Sequence, residues 1–524
     1  MDNLDRNSTQ VLGLDRRYWG LLGILFFGVL YLWDIGNILA PRQGTESLYV
    51  QISKEMFEAK SFITPLYRGE PHWSKPPLQY WIPMPLYALF GGFSLTLARL
   101  SMALTSFGVM GLLLFFLRRQ NFNLSWAKTC IIFLASFGIF KFSRIFMMEI
   151  PLSLLPLIGA ISFYDYINSK NKFSFIISIF FIGLGGLVKG PVSLAMGYAS
   201  LGLYWLYELK AQDRQIIKEV LCVMFLSLIV SSIWYLVCFE RYGMEFINYF
   251  FLRDNLGKFG QTTSMSPLKI IQGLIIYTFP WLHLVSFRPK NIAAQLKKPF
   301  FVFLFIHFVI FFFIWFIPSQ KSHHYAMPGF AFWMTILLIN PRLFIRDQIS
   351  RFFFWAQICI ILLFAAIFLY FSTTVIELAL ALIPIVVILF SVNFKASSYG
   401  IGISFVSLMT VLITRFYRPL IPAGDVEVTL KKTDKAIFYN DRRPFFIEER
   451  LNRKIELFDK VKLKKGDFII GPDSKSSLLP LSNLESVSSW PKWKRKVRAD
   501  DVLNALKSRD LNYLKGEYIL YRVK

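Results

Sequence analysis

The sequence is poor in charged residues and in cysteine. Charged side chains make up 17% of the 524 residues, and 55% of the residues are hydrophobic, whereas a soluble globular chain carries roughly 25% charged residues. This composition excludes a disordered chain and an ordinary soluble enzyme. The four cysteines, Cys130, Cys222, Cys238 and Cys359, each lie within or beside an apolar stretch. They therefore indicate neither a disulfide framework nor a metal site.

The charges that are present are unevenly distributed. Residues 421–524 hold 23 Lys and Arg and 15 Asp and Glu, whereas the longer segment 1–420 holds 35 and 18. We therefore expect a transmembrane domain over residues 1–420 and a soluble extracytoplasmic domain over residues 421–524. The net charge of +25 could also indicate nucleic-acid binding. However, the basic residues of the first domain lie in short gaps between apolar runs, as the positive-inside rule predicts, so we expect a lipid bilayer as partner and no nucleic acid.

Apolar runs long enough to cross a bilayer recur along the first domain. They cover residues 18–38, 97–117, 128–146, 150–167, 173–188, 190–207, 219–239, 268–287, 299–317, 325–340, 352–371, 374–392 and 399–416. The sequence thus predicts an all-α polytopic membrane protein with about 13 transmembrane helices. Leu78–Gly91 is short and contains Pro83 and Pro85, so we interpret it as an interfacial or re-entrant helix. The first run could alternatively be the core of a cleaved signal peptide, although no clean cleavage site follows it.

The distribution of basic residues predicts which loops lie on which side. With the N-terminus in the cytoplasm, the inside gaps are richer in Lys and Arg than the outside gaps, as expected. This topology places the C-terminal domain outside, together with two long segments, Pro41–Ala98 and Arg241–Pro267. Within the first of them, Glu46–Lys60 has the apolar periodicity of a helix that lies on the membrane surface.

The C-terminal domain has the pattern of a small α/β fold. Strand-like runs cover Ala436–Asn440, Asp467–Gly471 and Glu517–Val523, and a helix pattern covers Asp500–Arg509. Alternation of these patterns within about a hundred residues is typical of one small domain.

Ionisable residues at membrane depth are costly and often functional, and several collect on the outer side of this topology together with one tyrosine. They are Glu46, Lys75, Arg144, Glu149, Lys189, Lys321, His323, His324 and Tyr325. They come from distant parts of the chain and include both signs of charge. A site for an anionic, hydroxyl-rich substrate requires this combination.

Several of these residues also have a simpler structural interpretation. Glu149 lies at a helix start and could merely complement the helix dipole. Lys189 could belong to a simple break between two helices, and Lys75 to a turn with an interfacial lysine. Taken alone, His323 and His324 are better explained as surface histidines than as metal ligands.

Six segments of the sequence resemble a known family. They read, in chain order, PRQGTESLYVQISKEM, GEPHWSKPPLQYW, ARLSMAL, SRIFMMEIPLSLL, GLVKGPVSLAMG and SQKSHHYAMP. In this order they resemble the polyprenyl-phosphate-dependent glycosyltransferases of the GT-C fold, in particular the lipid A aminoarabinose transferase and, more distantly, the protein O-mannosyltransferases. The resemblance covers most of residues 1–340.

The resemblance implies a GT-C bundle with interfacial helices in the first outer loop. It also implies transfer of a sugar from a polyprenyl-phosphate donor to a lipid A-type, glycolipid, polysaccharide or protein acceptor. The reaction would take place at the periplasmic face of a bacterial inner membrane. One alternative is a transporter or flippase of lipid-linked sugars, although the sequence shows no internal repeat of the kind that transporters often have. Another is a polymerase or ligase of envelope polysaccharide.

The resemblance also assigns two candidate catalytic carboxylates. The acidic pair of the family's first outer loop reads Thr45-Glu46 here, ahead of Tyr49. The usual aspartate, the proposed base, is therefore missing, and Glu46 is the candidate to take its place. The family's Asp-Met-Pro becomes Glu-Ile-Pro at Glu149, and we expect Glu149 to orient Arg144 or the acceptor.

Six further residues are expected to bind substrate. They are Lys75, Lys189, Arg253, Lys321, His324 and Tyr325. Lys189 matches the lysine of the family's Lys-Gly-Pro, and Tyr325 matches a tyrosine of its late outer loop. We expect Lys75, Lys189 and Arg253 to stabilise a departing phosphate. The family's Glu-Lys-Pro-Pro begins with Ser74 here; because that glutamate is linked to metal binding, the need for a divalent metal is left open.

Overall fold

The chain, seen in a computed structural model, is dominated by α-helices. The structure describes residues 10–11, 14–36, 44–122, 124–210, 216–255, 266–285, 289–319, 321–339, 348–393, 397–412, 430, 433–440, 447–448, 451, 453, 455–458, 462–473, 483–494 and 497–524. The helices of the first part are α1 (Arg16–Leu32), α2 (Gly44–Glu58), α3 (Leu78–Trp81), α4 (Met84–Leu89), α5 (Leu95–Arg119), α6 (Trp126–Leu134), α7 (Phe137–Ser143), α8 (Glu149–Ser169), α9 (Lys172–Lys189), α10 (Pro191–Lys210), α11 (Ile216–Ile247), α12 (Leu268–Thr278), α13 (Pro289–Gln295), α14 (Pro299–Phe313), α15 (Met327–Ile339), α16 (Gln348–Phe371), α17 (Val375–Asn393) and α18 (Ser397–Val411). Shorter turns of helix are Asn248–Asn255, Leu282–Leu284, Ile314–Phe316 and His323–Ala326.

Six of the described helices are long and apolar enough to cross a membrane. They are α5, α8, α9, α11 with its extension to Asp254, α14 with its extension to Phe316, and α16. Shorter apolar helices lie in α12, α17 and α18. Each of the 13 predicted spans contains at least one helix, which agrees with the predicted segmentation, while 13 full crossings stay a prediction.

Two predicted spans are interrupted, and a backbone hydrogen bond joins the two interruptions. Segment 128–146 forms α6 and α7, which are separated at Ser136, where the backbone is extended. In segment 268–287 the α-helix ends at Thr278, and only the short helical turn Leu282–Leu284 follows. The backbone N–H of Phe137 donates to the carbonyl of Phe279 at 2.8 Å, so a group freed by one break is bonded by the other, as a buried backbone requires.

The segment predicted to be the first outer loop contains the expected short helices. Leu78–Gly91 forms α3 and α4, which are too short to span a bilayer, in agreement with the interfacial interpretation. In α2, Ile52 and Met56 are fully buried, whereas Glu58 on the opposite side is exposed. The first turn of α2 enters the protein interior, because Glu46 is also fully buried.

The candidate residues share one end of the bundle because of how α8 and α9 pair. The two helices are antiparallel neighbours, joined at Lys170 and at Asn171, whose side-chain oxygen caps α9. Glu149 at the start of α8 and Lys189 at the end of α9 therefore lie at the same end, which we call the site end. Helix α8 forms the core of the bundle, with 89% of its apolar stretch buried, whereas α11 and α16 have 28% buried and form the periphery.

The described C-terminal part contains the expected strands and a helix. Its strands are β5 (Ile437–Tyr439), β6 (Glu456–Leu457), β7 (Phe468–Pro472), β8 (Leu484–Trp493) and β9 (Lys515–Val523), after β1 (Gln10–Val11), β2 (Leu14–Asp15), β3 (Leu66–Tyr67) and β4 (Glu70–Pro71) earlier in the chain, and its helix is α19 (Ala499–Ser508). The sheet order is β6-β5-β7-β9-β8, with β5 parallel to β6 and β7 and with β9 antiparallel to β7 and β8. The expected boundary at residue 421 lies outside the described residues and stays a prediction.

The C-terminal unit contacts the bundle at the site end. A guanidinium nitrogen of Arg68, in the β3–β4 hairpin of the first outer loop, lies 2.7 Å from Oε1 of the buried Glu448. The hydroxyl of Tyr67 donates to the other oxygen of Glu448 at 3.3 Å. At the end of α16, the hydroxyl of Tyr370 donates to the carbonyl of Leu506 at 2.8 Å.

Candidate functional site

Glu149 is a buried carboxylate at the site end. It is 4% exposed, and its Oε1 lies 3.9 Å from Nε2 of His324. Its other oxygen, Oε2, is buried and has no hydrogen-bond partner in the part of the chain that the structure describes. An unsatisfied buried carboxylate oxygen is costly, so Glu149 is suited to accept a hydrogen bond from a ligand.

Lys189 places a positive charge close to this carboxylate. Its Nζ lies 3.9 Å from the centre of the Trp315 ring and 4.9 Å from the centre of the Tyr325 ring. Aromatic faces attract an ammonium group and fix its position. Its charge acts electrostatically on Glu149 and on His324. The structure thus brings together Glu149, Lys189, His324 and Tyr325, four of the predicted site residues.

Two glycines allow this packing. Gly190 ends α9 with φ of +82°, a backbone conformation that favours glycine, and Pro191 starts α10 directly after it. A Cβ at Gly273 in α12 would overlap the carbonyl oxygen of His323. The turn that carries His324 and Tyr325 therefore lies against α12 because residue 273 has no side chain.

Lys141 belongs to the same cluster, although the sequence analysis did not select it. Its Nζ lies 4.8 Å from the centre of the Phe142 ring and 5.6 Å from that of Tyr277. Burial, followed by the charges of Lys189 and Lys141, lowers the pKa of His324. His324 is therefore neutral at neutral pH, and the two lysines supply the positive charge. Lys141 could have been selected from the sequence, because a lysine inside an apolar run is unusual and often functional.

A second group of charges surrounds Asp254. The Lys75 ammonium lies 3.9 Å from Oδ2 of Asp254, and Nε of Arg253 lies 3.6 Å from its Oδ1. The Arg253 guanidinium also lies 3.5 Å from the centre of the Tyr249 ring. The hydroxyl of Tyr249 and Nδ1 of His72 share a hydrogen bond of 3.2 Å. The predicted residues Lys75 and Arg253 are thus brought together, around an aspartate that was not predicted.

Two buried tyrosines lie between the two groups. The rings of Tyr49 and Tyr80 are 5.9 Å apart. Burial raises the pKa of Tyr49, and nearby Tyr80, Glu149 and Asp254 raise it further. Tyr49 therefore lies within electrostatic range of an acidic group from each cluster. The hydroxyl of Tyr80 is buried without a hydrogen-bond partner among the described residues.

Glu46 lies in a different environment. Arg99 of α5 contacts both of its carboxylate oxygens, with Nε at 2.8 Å and a terminal nitrogen at 3.1 Å. The backbone N–H of Phe146 also donates to Oε1 at 2.9 Å. Both Glu46 and Arg99 are fully buried. This geometry links α2 and α5 to the segment just before Glu149, and it favours a positioning role for Glu46 over the predicted role as base.

Two other predicted residues lie at the site end without a described contact to Glu149. Arg144 donates to the carbonyls of Tyr31 and Trp33, so the expected pairing of Arg144 with Glu149 is not what the structure shows. Lys321 is 5% exposed in the loop that leads into the His323–Ala326 turn.

The residues present do not favour a metal centre. Over the described ranges, no group of three or more His, Cys, Asp or Glu side chains is placed to hold a metal ion. Position 74 is a serine where the resembled family has a metal-linked glutamate. The chemistry considered below therefore uses only side chains of this chain.

Sequence comparisons identify proteins that are similar to this chain. A family model described as dolichyl-phosphate-mannose-protein mannosyltransferase matches residues 23–248. An uncharacterised protein of Aquifex aeolicus is 24% identical over 503 residues, which cover 91% of this chain and 96% of that protein. The undecaprenyl phosphate-alpha-4-amino-4-deoxy-L-arabinose arabinosyl transferase of Serratia proteamaculans is 24% identical over 326 residues, or 60% of this chain and 57% of the transferase. The chain therefore matches less than two thirds of the length of that named transferase.

The comparison of structures decides the fold. The crystal structure of ArnT from Cupriavidus metallidurans bound to undecaprenyl phosphate superposes with a TM-score of 0.72 at 15% identity, and covers 96% of this chain and 98% of that chain. This chain has the GT-C fold. The apo state of the same ArnT gives a TM-score of 0.69 at 16% identity, with the same coverage. The resemblance read from the six sequence segments is confirmed: the chain is similar to polyprenyl-phosphate-sugar glycosyltransferases.

Proposed function

We propose that this GT-C protein is a membrane glycosyltransferase that moves a sugar from a polyprenyl-phosphate donor to a lipid or glycan acceptor. The observation that carries the proposal is the buried Glu149 carboxylate, which has an unbonded oxygen among the described residues and lies beside Lys189 and Lys141. The similarity to named transferases supports the reaction class. The undecaprenyl phosphate bound to ArnT of Cupriavidus metallidurans supports the donor class.

We place the reaction at the periplasmic face of a bacterial inner membrane. The end of the bundle opposite the site carries basic residues such as Arg119 and Lys170, at the ends of α5 and α8. Basic residues next to membrane spans favour the cytoplasmic side. The site end and the C-terminal α/β unit would then face the periplasm.

The proposed transfer is a single displacement. The acceptor oxygen attacks the anomeric carbon, and the bond from that carbon to the phosphate oxygen breaks, with the electron pair leaving on the polyprenyl phosphate. Lys189 and Lys141 stabilise the negative charge that develops there, as fixed cations do in a poorly hydrated site. Glu149 accepts the proton of an acceptor hydroxyl. A single displacement of this kind inverts the configuration at the anomeric carbon.

The remaining predicted residues are given supporting roles. Neutral His324 and Tyr325 are suited to bind hydroxyl groups of the sugar, because both can form hydrogen bonds without adding charge. Lys75 and Arg253 are suited to hold an anionic part of a substrate next to Asp254. Lys321 keeps its predicted place in substrate binding through its position in the same loop as His324.

Glu46 is proposed as a positioning residue. Its ion pair with Arg99 and its bond to the Phe146 N–H hold the segment that leads into Glu149. Both oxygens of this carboxylate are already bonded to the guanidinium of Arg99. We therefore assign the role of base, which the sequence suggested for Glu46, to Glu149.

Transport of a lipid-linked sugar is not favoured as the function. The named relatives are transferases, and the charged cluster lies at one end of the bundle at the start of α8 and the end of α9. Transporter sites are typically found near mid-depth.

The experiment is transfer by the full-length chain in proteoliposomes. The donor is undecaprenyl phosphate carrying a radiolabelled sugar, and the acceptor is an extract of bacterial envelope lipids. We expect a labelled lipid product and release of undecaprenyl phosphate from the wild-type chain, and loss of both with Glu149→Gln. Glu377→Gln is a matched control, because Glu377 is a carboxylate in the first turn of α17, bonded to the exposed Thr373.

Two results would contradict the proposal. One is movement of the labelled donor across the bilayer without any glycosylated product, which would support transport. The other is unchanged transfer by the folded Glu149→Gln variant, which would remove Glu149 from the reaction.

A further inference from the structure

Helix α19 of the C-terminal unit carries an apolar strip that its own domain does not cover. The side chains of Val502, Leu503 and Leu506 are 42%, 52% and 37% exposed. At about 100° per residue they fall on one side of the helix. The domain instead buries α19 through Ala505, which is 1% exposed. The apolar strip of this amphipathic helix is thus left uncovered by its own domain.

Basic residues flank the strip on both sides. Lys507 lies along one edge, and Arg498 and Arg509 lie along the other; all three are exposed. The exposed Asn504 lies on the side opposite the strip, and the exposed Asp500 lies next to Lys507. A helix with an apolar strip between rows of Lys and Arg is typical of a helix that lies in a membrane interface, since long basic side chains reach the headgroups while the apolar residues enter the acyl region.

The end of α19 is attached to the end of a membrane-crossing helix. Tyr370 is the penultimate residue of α16, and its hydroxyl donates to the carbonyl of Leu506 at 2.8 Å. Nε of Arg509 donates to the carbonyl of Tyr370 at 2.6 Å. Tyrosine is enriched where membrane helices meet the interface, so these two bonds place α19 at the level of the bilayer surface.

The lipid-facing surface of the bundle continues at this level. Tyr370 is 42% exposed, and Val375 and Ile376, in the first turn of α17, are 82% and 61% exposed. Since α16 and α17 are peripheral apolar helices, this surface lies against lipid. The strip on α19 extends the same apolar surface into the C-terminal unit, which identifies the bilayer as its occupant.

We propose that α19 lies in the interface of the bilayer that holds the bundle, on the site-end leaflet. Val502, Leu503 and Leu506 enter the acyl region, and Arg498, Lys507 and Arg509 contact anionic headgroups. The C-terminal unit is then held at two points, by lipid through α19 and by the first outer loop through Arg68 and Glu448. This inference does not depend on the chemistry of the site.

The test is a fluorescent label placed on each side of α19 in the full-length chain. The exposed cysteines Cys222 and Cys359 are first replaced by serine. Leu503→Cys or Asn504→Cys is then added, and the new thiol is labelled with the environment-sensitive dye NBD. The protein is reconstituted in phosphatidylethanolamine and phosphatidylglycerol, with or without a phospholipid that carries a doxyl quencher high on its acyl chain. The labelled background protein without a new cysteine gives the correction.

We expect blue-shifted emission and strong doxyl quenching of the label at Leu503→Cys, and water-like emission with little quenching at Asn504→Cys. Val502→Cys is a second label on the strip and should behave like Leu503→Cys, which keeps the test decisive if one variant fails to assemble. Water-like, unquenched emission at both strip positions would overturn the proposal. Blue-shifted emission that the doxyl lipid does not quench, together with crosslinks between copies through the strip, would also overturn it and would assign the strip to a second copy of the chain.

Discussion

Two buried glutamates at the same end of the bundle have opposite environments. Both oxygens of Glu46 face the guanidinium of Arg99, and one also accepts a backbone N–H. Glu149 has one oxygen without a described partner, and its other oxygen lies 3.9 Å from Nε2 of the neutral His324. A carboxylate whose oxygens are all bonded stabilises the fold. A carboxylate with an unbonded oxygen can still accept a hydrogen bond from a ligand.

The comparison changes which carboxylate we propose as the base. Sequence position favoured Glu46, because it follows the first span in a segment that resembles the family's acidic loop. The surroundings favour Glu149, because Lys141 and Lys189 lie close enough to act on it electrostatically. Most of the predictions that follow test this difference, and one tests the link from the C-terminal unit to the first outer loop.

The largest expected effect is on transfer by Glu149→Gln. Loss of a general base typically costs about 10²- to 10⁴-fold in rate, and glutamine keeps the size of the side chain. We therefore expect transfer to fall by that factor while thermal unfolding of the detergent-solubilised protein is unchanged. Glu149→Asp should retain more activity than Glu149→Gln. Equal rates for the aspartate and glutamine variants would argue that the negative charge is not needed.

Glu46→Gln should act mainly on stability. The substitution leaves the buried Arg99 without a counter-charge, and removing one partner of a buried ion pair costs about 3–5 kcal/mol. We expect poor assembly or a strongly lowered unfolding temperature, with activity per folded molecule retained. Replacing both residues, as in Glu46→Leu with Arg99→Met, should recover part of the stability. A Glu46→Gln variant that is stable but inactive would return the role of base to Glu46.

Removal of a lysine from the cluster should affect the chemical step. Loss of one group that stabilises a developing oxyanion costs about 10²- to 10³-fold in kcat, and we expect losses of this order for Lys189→Met and for Lys141→Met. Lys170→Met is the control, since Lys170 pairs with Glu219 at the opposite end of the bundle. An effect of Lys141→Met on KM alone would assign Lys141 to substrate binding.

The contact between Arg68 and Glu448 should have a smaller effect. Glu448 is fully buried and Arg68 is 18% exposed, and loss of one hydrogen-bond partner of a buried group costs about 1–3 kcal/mol. We expect Arg68→Ala to lower the unfolding temperature and to speed proteolysis of the C-terminal unit. Asp501→Asn, which breaks the Lys494 pair within that unit, is the control with little effect. Identical proteolysis of both variants would show that Arg68 does not hold the unit.

The smallest effect concerns pH. The pKa of His324 is held below its usual 6.5 by burial and by Lys189 and Lys141. The unfolded chain therefore binds more protons than the folded chain below about pH 6.5, and the contribution of His324 to stability falls as the pH decreases. We expect His324→Asn to lose less stability than the wild type between pH 7 and pH 5, with His323→Asn as the neighbouring control. A steeper loss for His324→Asn would contradict the assigned direction.

Much of the fold followed from the sequence because membrane helices are recognisable as apolar runs. The start of α8 and the end of α9 were predicted within one residue, since a charged residue marks each. The break at Ser136 was missed because it depends on a partner at Phe279, which no local pattern shows. In the C-terminal unit, β8 was missed because LESVSSWPKW has neither the alternation nor the composition of a typical strand.

Part of the candidate site could also be predicted, because the ends of apolar runs are recognisable in the sequence. Glu149, Lys189, His324 and Tyr325 stand at the ends of apolar runs, where a charged or aromatic residue is conspicuous. Lys141 was counted inside a span, and the pairing of Glu46 with Arg99 joins residues 53 positions apart. Partner choice of this kind is set by tertiary packing, so only the structure could show which carboxylate is already bonded.

The most direct test of this difference is chemical rescue. Glu149→Ala and Glu46→Ala are reconstituted in parallel, and the transfer rate per folded molecule is measured as formate is added. If Glu149 accepts the proton, formate fills the space of its carboxylate, and the rate of Glu149→Ala should rise and saturate while that of Glu46→Ala does not respond. A saturating response of Glu46→Ala alone, or wild-type transfer by Glu149→Ala without formate, would contradict the assignment of the base to Glu149.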